Sequence, residues 1–214
     1  MTKDKGHIIA IGGGGFGRTP DKPIIEKYIL DQSKVKNPNI CFFPTASAER
    51  QDYIDNYYKA FSTLDCNPTH ISLFSRTPDL ESEFDKSDII YIGGGNTKSM
   101  LAVFQEWNIN QLLLKAYENG KILAGVSAGA ICWFNKGITD SWADELKVLD
   151  CLDFLPGCCC PHYDGEKDRR PSVMEFINSG IIESCLAIED GAAAHFKNGK
   201  LLNAISFYKG ANVF

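Results

Sequence analysis

The sequence predicts an α/β fold built on a mostly parallel central sheet, and three observations carry that expectation. Short apolar runs alternate several times with stretches of helical periodicity. Glycine-rich turns follow three of the apolar runs, at Gly12-Gly13-Gly14-Gly15, Gly93-Gly94-Gly95 and Gly125-Val126-Ser127-Ala128-Gly129. The last of these reads as a buried strand that stops at a sharp turn and restarts as a helix. In an open parallel sheet, ligands and reacting groups gather outside the carboxyl ends of the strands, where these glycines fall.

The elements follow in order. Ile8-Ile9-Ala10-Ile11 is a first buried strand, and the four glycines after it imply a tight turn or close approach to another group. Phe16-Gly17-Arg18-Thr19-Pro20 then delays any helix, which argues against a dinucleotide cradle. Residues 23–32 carry Ile24, Ile25, Tyr28 and Ile29 at helical spacing, with Asp21 as the expected cap. Residues 39–43 form a second strand ended by Pro44, followed by a polar loop over 45–48. Residues 49–64 are a helix whose broad face of Tyr53, Ile54, Tyr57, Tyr58 and Phe61 reads as packing.

A third strand is expected over 71–74, a short helix around Leu80 and Phe84, and a fourth strand over 89–92. Helices follow from Asn96-Thr97, with Met100, Leu101, Val103 and Phe104 inward, and over 108–118. The strand at 122–126 leads through Ser127 to a helix over 130–134, and 135–141 reads as a loop. Residues 155–165 hold a short strand and a polar turn, and a helix bearing Val173, Phe176 and Ile177 stops near Gly180. A strand over 184–188, a turn at 189–191 and a hairpin around Lys197-Asn198-Gly199-Lys200 come next. Residues 207–214 close the chain as a strand or tail.

The 214 residues suit one domain, taken as 1–214. A formal charge of −5 without a basic stripe argues against nucleic acid as a partner. No run approaches the roughly 18 apolar residues of a membrane span. The first apolar run breaks at Gly12, too early for a signal peptide, so a cytoplasmic protein is expected. The eight cysteines then read as reduced thiols. Cys158-Cys159-Cys160 cannot easily converge on one metal, and no C-x-x-C pair accompanies it, so no metal site is expected.

Ser127 sits in a G-x-S-x-G pattern, where small neighbours leave a hydroxyl uncrowded beside the free N–H groups of a helix start. A serine hydroxyl needs a base within about 3 Å, commonly imidazole held by a carboxylate. Of the four histidines, His7 precedes the first strand and reads as solvated. His70 starts a strand at the wrong edge of the sheet, and His195 lies in the apolar hairpin. His162, set in a turn after Pro161, is the candidate base. The acid should come from another loop at the same edge, and Glu189 and Asp190 both qualify. Adjacent residues on an extended segment point opposite ways, so one of the two reaches His162. Asp164 reads as a local turn former. Candidate backbone donors for an oxyanion are Ala128 and either Gly94 or Gly95.

Taken together, the first glycine run, Gly93-Gly94-Gly95-Asn96-Thr97, the Ser127 turn, Pro161-His162 and Ile188-Glu189-Asp190-Gly191 resemble the peptidase E family of aspartyl dipeptidases, relatives of cyanophycinase. The resemblance spans nearly the whole chain. It implies a three-layer, flavodoxin-like sandwich similar to class I glutamine amidotransferase domains, with serine in place of their cysteine. It implies the order Ser127, His162, acid. The late acid, usually glutamate in the family, falls on Asp190 here, with Glu189 one residue earlier and Asp140 as a further candidate. It implies hydrolysis of Asp-Xaa dipeptides through an acyl-enzyme, without cofactor or metal, by a monomer or homodimer. Arg18, Arg169 and Arg170 are then candidates for the substrate carboxylate, and Asn96 and Thr97 for the substrate's amine or carboxylate. The alternatives are a cyanophycinase-like or broader peptidase or amidase, and a noncatalytic module that binds a small molecule.

Overall fold

The computed structural model describes residues 5–142 and 144–214. Its strands are β1 (His7–Ile11), β2 (Asn39–Phe43), β3 (Asn67–His70), β4 (Ile89–Ile92), β5 (Ile122–Val126), β6 (Phe134–Thr139), β7 (Lys147–Asp150), β8 (Leu155–Cys160), β9 (Cys185–Ala187), β10 (Ala192–Lys197) and β11 (Lys200–Ser206). Its helices are α1 (Ile24–Leu30), α2 (Gln51–Phe61), α3 (Leu80–Lys86), α4 (Thr97–Glu106), α5 (Ile109–Glu118), α6 (Ala128–Ile131) and α7 (Arg169–Asn178).

The large sheet runs β11-β10-β1-β5-β4-β2-β3, with β1 to β5 mutually parallel and the β10–β11 hairpin antiparallel at one edge. Central strands are apolar at every position because both faces are covered. Ile8, Phe43, Ile90 and Leu123 pack on one side with Met100, Phe104 and Leu113 from α4 and α5. Ile9, Phe42, Tyr91 and Ala124 pack on the other with Ile25, Ile54 and Phe61 from α1 and α2. The result is three layers. A second sheet, β7-β6-β8-β9, lies after the Ser127 turn and was only partly visible in the sequence. Cys158 and Cys160 on β8 face its own small core, while Cys159 between them joins the main core.

Four local expectations are corrected. The third strand is Asn67–His70, not 71–74. Pro68 is tolerated because β3 is the sheet edge, where a missing N–H costs no ladder bond. Ile71 and Leu73 are buried as loop side chains instead. His70 therefore ends its strand, and its Nδ1 lies 2.8 Å from the Tyr58 hydroxyl. Asp21 does not cap α1, which starts behind Pro23, because its carboxylate is drawn to Lys59 at 2.8 Å. The helix after Ser127 is only four residues long, and 134–139 is strand rather than helix and loop. Pairing of β6 with both β7 and β8 supplies the backbone partners that its polar residues concealed. Among the described residues no helix is long and apolar enough to cross a membrane.

Candidate active site

The turn after β5 is set by close backbone packing. A Cβ on Gly129 would lie 2.1 Å from the Ile92 carbonyl oxygen, so only glycine lets α6 sit against the end of β4. Ser127 joins strand to helix at φ 56° and ψ −112°, a conformation that costs roughly 1–3 kcal/mol and persists where the surroundings enforce it. Here the Ser127 N–H is held by the Ile11 carbonyl at 3.0 Å. The turn leaves the Ala128 N–H at a helix start, without an intrahelical acceptor.

The partners of Ser127 arrive from the second sheet. β8 runs out through Pro161 to His162, and β9 through Ile188 to Glu189 and Asp190. His162 also has a positive φ, 52°, and its N–H donates to the Gly12 carbonyl at 3.3 Å. The Gly191 N–H donates to Gly13 at 2.9 Å, and the Asp190 N–H to the Asp164 carboxylate at 2.9 Å. Both loops thus close on the glycine run after β1. A Cβ on Gly13 would lie 1.9 Å from Asp190 Oδ1 and 2.6 Å from His162 Nδ1, which explains why a side chain is missing there.

The side chains form one chain of contacts. His162 Nε2 is 2.8 Å from Ser127 Oγ, and His162 Nδ1 is 2.6 Å from Asp190 Oδ1. The His162 hydrogen bond, with the Arg18 guanidinium behind it, holds Asp190 down at about 2 against the opposing effect of burial. An ionised carboxylate only accepts, so Nδ1 carries the proton and Nε2 is free to accept the Ser127 hydroxyl hydrogen. Arg18 pairs with the second oxygen, Oδ2, of Asp190.

Glu189 faces away. It is buried, ion-paired to Arg170 at 2.9 Å, and takes the Asn212 N–H at 2.9 Å. Arg170 also stacks over Tyr163, 4.5 Å from the ring centre. Arg169 is buried, donating to the Ile138 carbonyl at 2.9 Å and pairing with Glu166 at 2.6 Å, with Asp140 at 3.6 Å. Both arginines therefore tie α7 to its surroundings and do not line the cleft. Asn96 caps α4, accepting the Ser99 N–H at 2.9 Å, and the buried Thr97 hydroxyl meets Thr139 at 3.2 Å. Asn96 thus serves the helix start, which needs its own acceptors, and Thr97 ties α4 to β6. Gly94 and Gly95 both line the cleft, and the Gly94 N–H is engaged by the Tyr53 hydroxyl at 3.2 Å.

That cleft, of about 510 Å³, opens on Ser127 and His162. Arg18 lies on one side, and Ala46 to Ala48, Arg50, Tyr53 and Asn56 form a wall that the sequence reading did not assign. Arg50 is paired with Asp52, also on the wall, through Nε at 3.0 Å from Oδ1. The available signal was topological: this loop and the start of α2 follow the carboxyl end of β2, the edge where parallel sheets bind ligands.

The model of peptidase family S51 matches residues 8–203. The chain belongs to peptidase family S51. It is 50% identical over 209 residues to the uncharacterized peptidase YgaJ of Bacillus subtilis (strain 168), across 97% of this chain and 90% of that one. It is 24% identical over 191 residues to peptidase E of Haemophilus influenzae (strain Rd), with 83% and 84% covered. The crystal structure of a peptidase from an acI-B1 Actinobacterium superposes with a TM-score of 0.69 at 13% identity, covering 100% of this chain and 96% of that one. This S51 chain is a peptidase with the fold of that structure.

Proposed function

We propose that this S51 peptidase is a serine-dependent dipeptidase that removes an N-terminal aspartate from Asp-Xaa substrates. The observation that carries the reading is the continuous Ser127–His162–Asp190 chain opening on the cleft. Ser127 Oγ attacks the carbonyl carbon as its proton passes to His162 Nε2. Asp190 stabilises the resulting imidazolium. The oxyanion forms beside the Ala128 N–H and Gly95. The C–N bond then breaks, and His162 returns the proton to the leaving amine. Water repeats the sequence on the acyl-enzyme and releases the acid. Arg18, on the cleft beside the acid, is the candidate anchor for a substrate carboxylate. Eight unpaired thiols suit a reducing, cytoplasmic setting.

Hydrolysis of Asp-Leu, Glu-Leu and Ala-Leu by wild type and Ser127→Ala tests this. Fast cleavage of Asp-Leu alone, lost in the variant by at least about 10⁴-fold, is expected. Equal rates on all three would remove the aspartate specificity and keep the serine chemistry. Activity surviving in Ser127→Ala would remove the serine.

A further inference from the structure

Tyr53 lies on the stripe of aromatic residues along α2, yet its surroundings differ from those of the other tyrosines there. Its ring occupies a slot cut by two glycines. A Cβ on Gly17 would lie 2.8 Å from Cε2, and one on Gly93 would lie 3.0 Å from Cε1, on the opposite edge of the ring. Phe16 stacks on the ring at 5.1 Å between centres, and Phe42 meets it edge-on at 5.3 Å. These contacts leave the ring no room to swing, so apolar packing holds the position of the hydroxyl.

Tyr53 lines the cleft that holds Ser127. Its hydroxyl accepts the Gly94 N–H at 3.2 Å. Gly94 itself flanks the nucleophile: a Cβ there would stand 3.2 Å from Ser127 Cβ and 3.7 Å from Oγ. Among the described residues the Tyr53 O–H has no acceptor of its own. Burial, with the charge of Glu26 behind it, pushes the phenol up to about 12, so it stays protonated across any working pH. The cleft wall therefore holds a rigid neutral donor against Gly94, the residue that flanks the serine. The backbone N–H that would otherwise be free to serve an oxyanion is already spent on it.

We infer that Tyr53 is a catalytic residue whose hydroxyl donates a hydrogen bond to the oxyanion formed when Ser127 attacks. This rests on the serine reading above. As the Oγ–C bond forms and the Ser127 proton moves to His162, the carbonyl π pair becomes a lone pair on oxygen. Tyr53 donates to that oxygen and keeps its proton. The Gly94 N–H donates to the phenol oxygen and so strengthens the phenol as a donor. On collapse the pair returns to the carbonyl, and the hydroxyl is unchanged for the second half of the reaction.

Tyr53→Phe is the test, because it keeps the ring in its slot. Loss of one oxyanion donor costs roughly 10²–10³ in kcat in a serine protease. The expected result is a fall of that order in kcat, a KM within about twofold of wild type, and an unchanged thermal midpoint. Labelling of Ser127 by a fluorophosphonate, whose phosphoryl oxygen takes the place of the oxyanion, should slow by a similar factor. If Tyr53 only caps Gly94, the variant frees that N–H as a replacement donor. Labelling and kcat would then match or exceed wild type, and the inference would be overturned with the serine reading intact. Failure of the fluorophosphonate to label wild-type Ser127 would overturn the serine reading, and this inference with it.

Discussion

Among the described residues two hydrogen-bonded chains are centred on a histidine, and they differ in the charge of their members and in access to the cleft. In the cleft, Ser127, His162 and Asp190 are linked at 2.8 and 2.6 Å. Inside the large sheet, His195 Nε2 lies 2.7 Å from His7 Nδ1 and its Nδ1 lies 2.7 Å from the Tyr28 hydroxyl. The distances are alike, but the surroundings are opposite. His162 leans on a carboxylate held ionised at about 2 and reaches a cleft. His195 is fully buried, and burial first, with His7 and Lys197 adding, presses it down to about 4. One imidazole has a partner that welcomes a proton, and the other has neighbours that refuse it. Short hydrogen bonds to a histidine are therefore poor markers of function until the charge of the third member and access to solvent are known.

The largest effect expected from breaking this contrast is at Asp190. Asp190→Asn removes the charge that makes the cleft chain different, and in a serine protease triad the matching change costs about 10⁴ in kcat through the wrong histidine tautomer. Steady-state hydrolysis of the best dipeptide should fall by a similar factor. Glu189→Gln, which alters only the pairing with Arg170 and Asn212, should keep kcat within a few-fold. The reverse ranking would reassign the acid. Acid denaturation gives a second reading of the same group. The Asp190 pKa is depressed on folding, from 3.8 to about 2, so its stabilising contribution is complete above about pH 3.8 and is lost as pH falls towards 2. The Asn variant should lack that segment of the curve.

Much of this architecture was legible in the sequence, and what was not has common causes. The parallel strands announce themselves as unbroken apolar runs because both their faces are buried. Ser127 and His162 stand out because a small-residue turn after a strand and a proline-set histidine are uncommon local patterns. Alternation along the chain shows that one of Glu189 and Asp190 meets His162. The choice between them is made by Arg170 on α7, a partner 19 positions away. Arg169 and Arg170 read as free cations for the same reason, since their partners come from distant elements. β6 is interrupted by Asn135, Lys136 and Gly137, and β7 is partly exposed with a charged residue at each end, so neither carries an unbroken apolar run. Tyr53 was hidden by its own stripe. Tyr57, one turn on, is fully buried with its hydroxyl on the Ile40 carbonyl at 2.9 Å, and helical spacing cannot distinguish the two.

A smaller effect should follow from crowding the Ser127–His162–Asp190 chain without changing its chemistry. Gly13→Ala places a methyl group where Asp190 Oδ1 and His162 Nδ1 now meet. The backbone cannot simply retreat, because the Gly13 carbonyl accepts the Gly191 N–H at 2.9 Å and the residue is bridged to Asp190. The side chains must part instead. A misplacement of about 1 Å costs on the order of 10²-fold in rate. A fall of that size in kcat, with a thermal midpoint close to wild type, would show that the spacing of acid and base is held by the absence of a Cβ. An unchanged kcat would show that Asp190 can give way at no cost.

The smallest effect on activity is expected from the second histidine chain, where the consequence should be confined to stability. His195 has an ordinary pKa of 6.5 and about 4 when folded, so between those values the unfolded chain takes up a proton that the folded one rejects. The sign follows directly: the contribution is complete above about pH 6.5 and is lost as pH falls towards 4. His7, also lowered by burial and by Lys197 and Lys34, acts in the same direction. In His195→Gln, which retains a polar contact but cannot titrate, the thermal midpoint should fall less steeply than wild type between pH 6.5 and 4. Dipeptide hydrolysis at neutral pH should stay within about twofold of wild type, because nothing in this chain reaches the cleft. A drop in kcat comparable with that of Asp190→Asn would mean that the two chains communicate through β1, which carries His7 at one end and leads into the glycines beneath His162 at the other. The contrast between them would then be one of degree rather than kind.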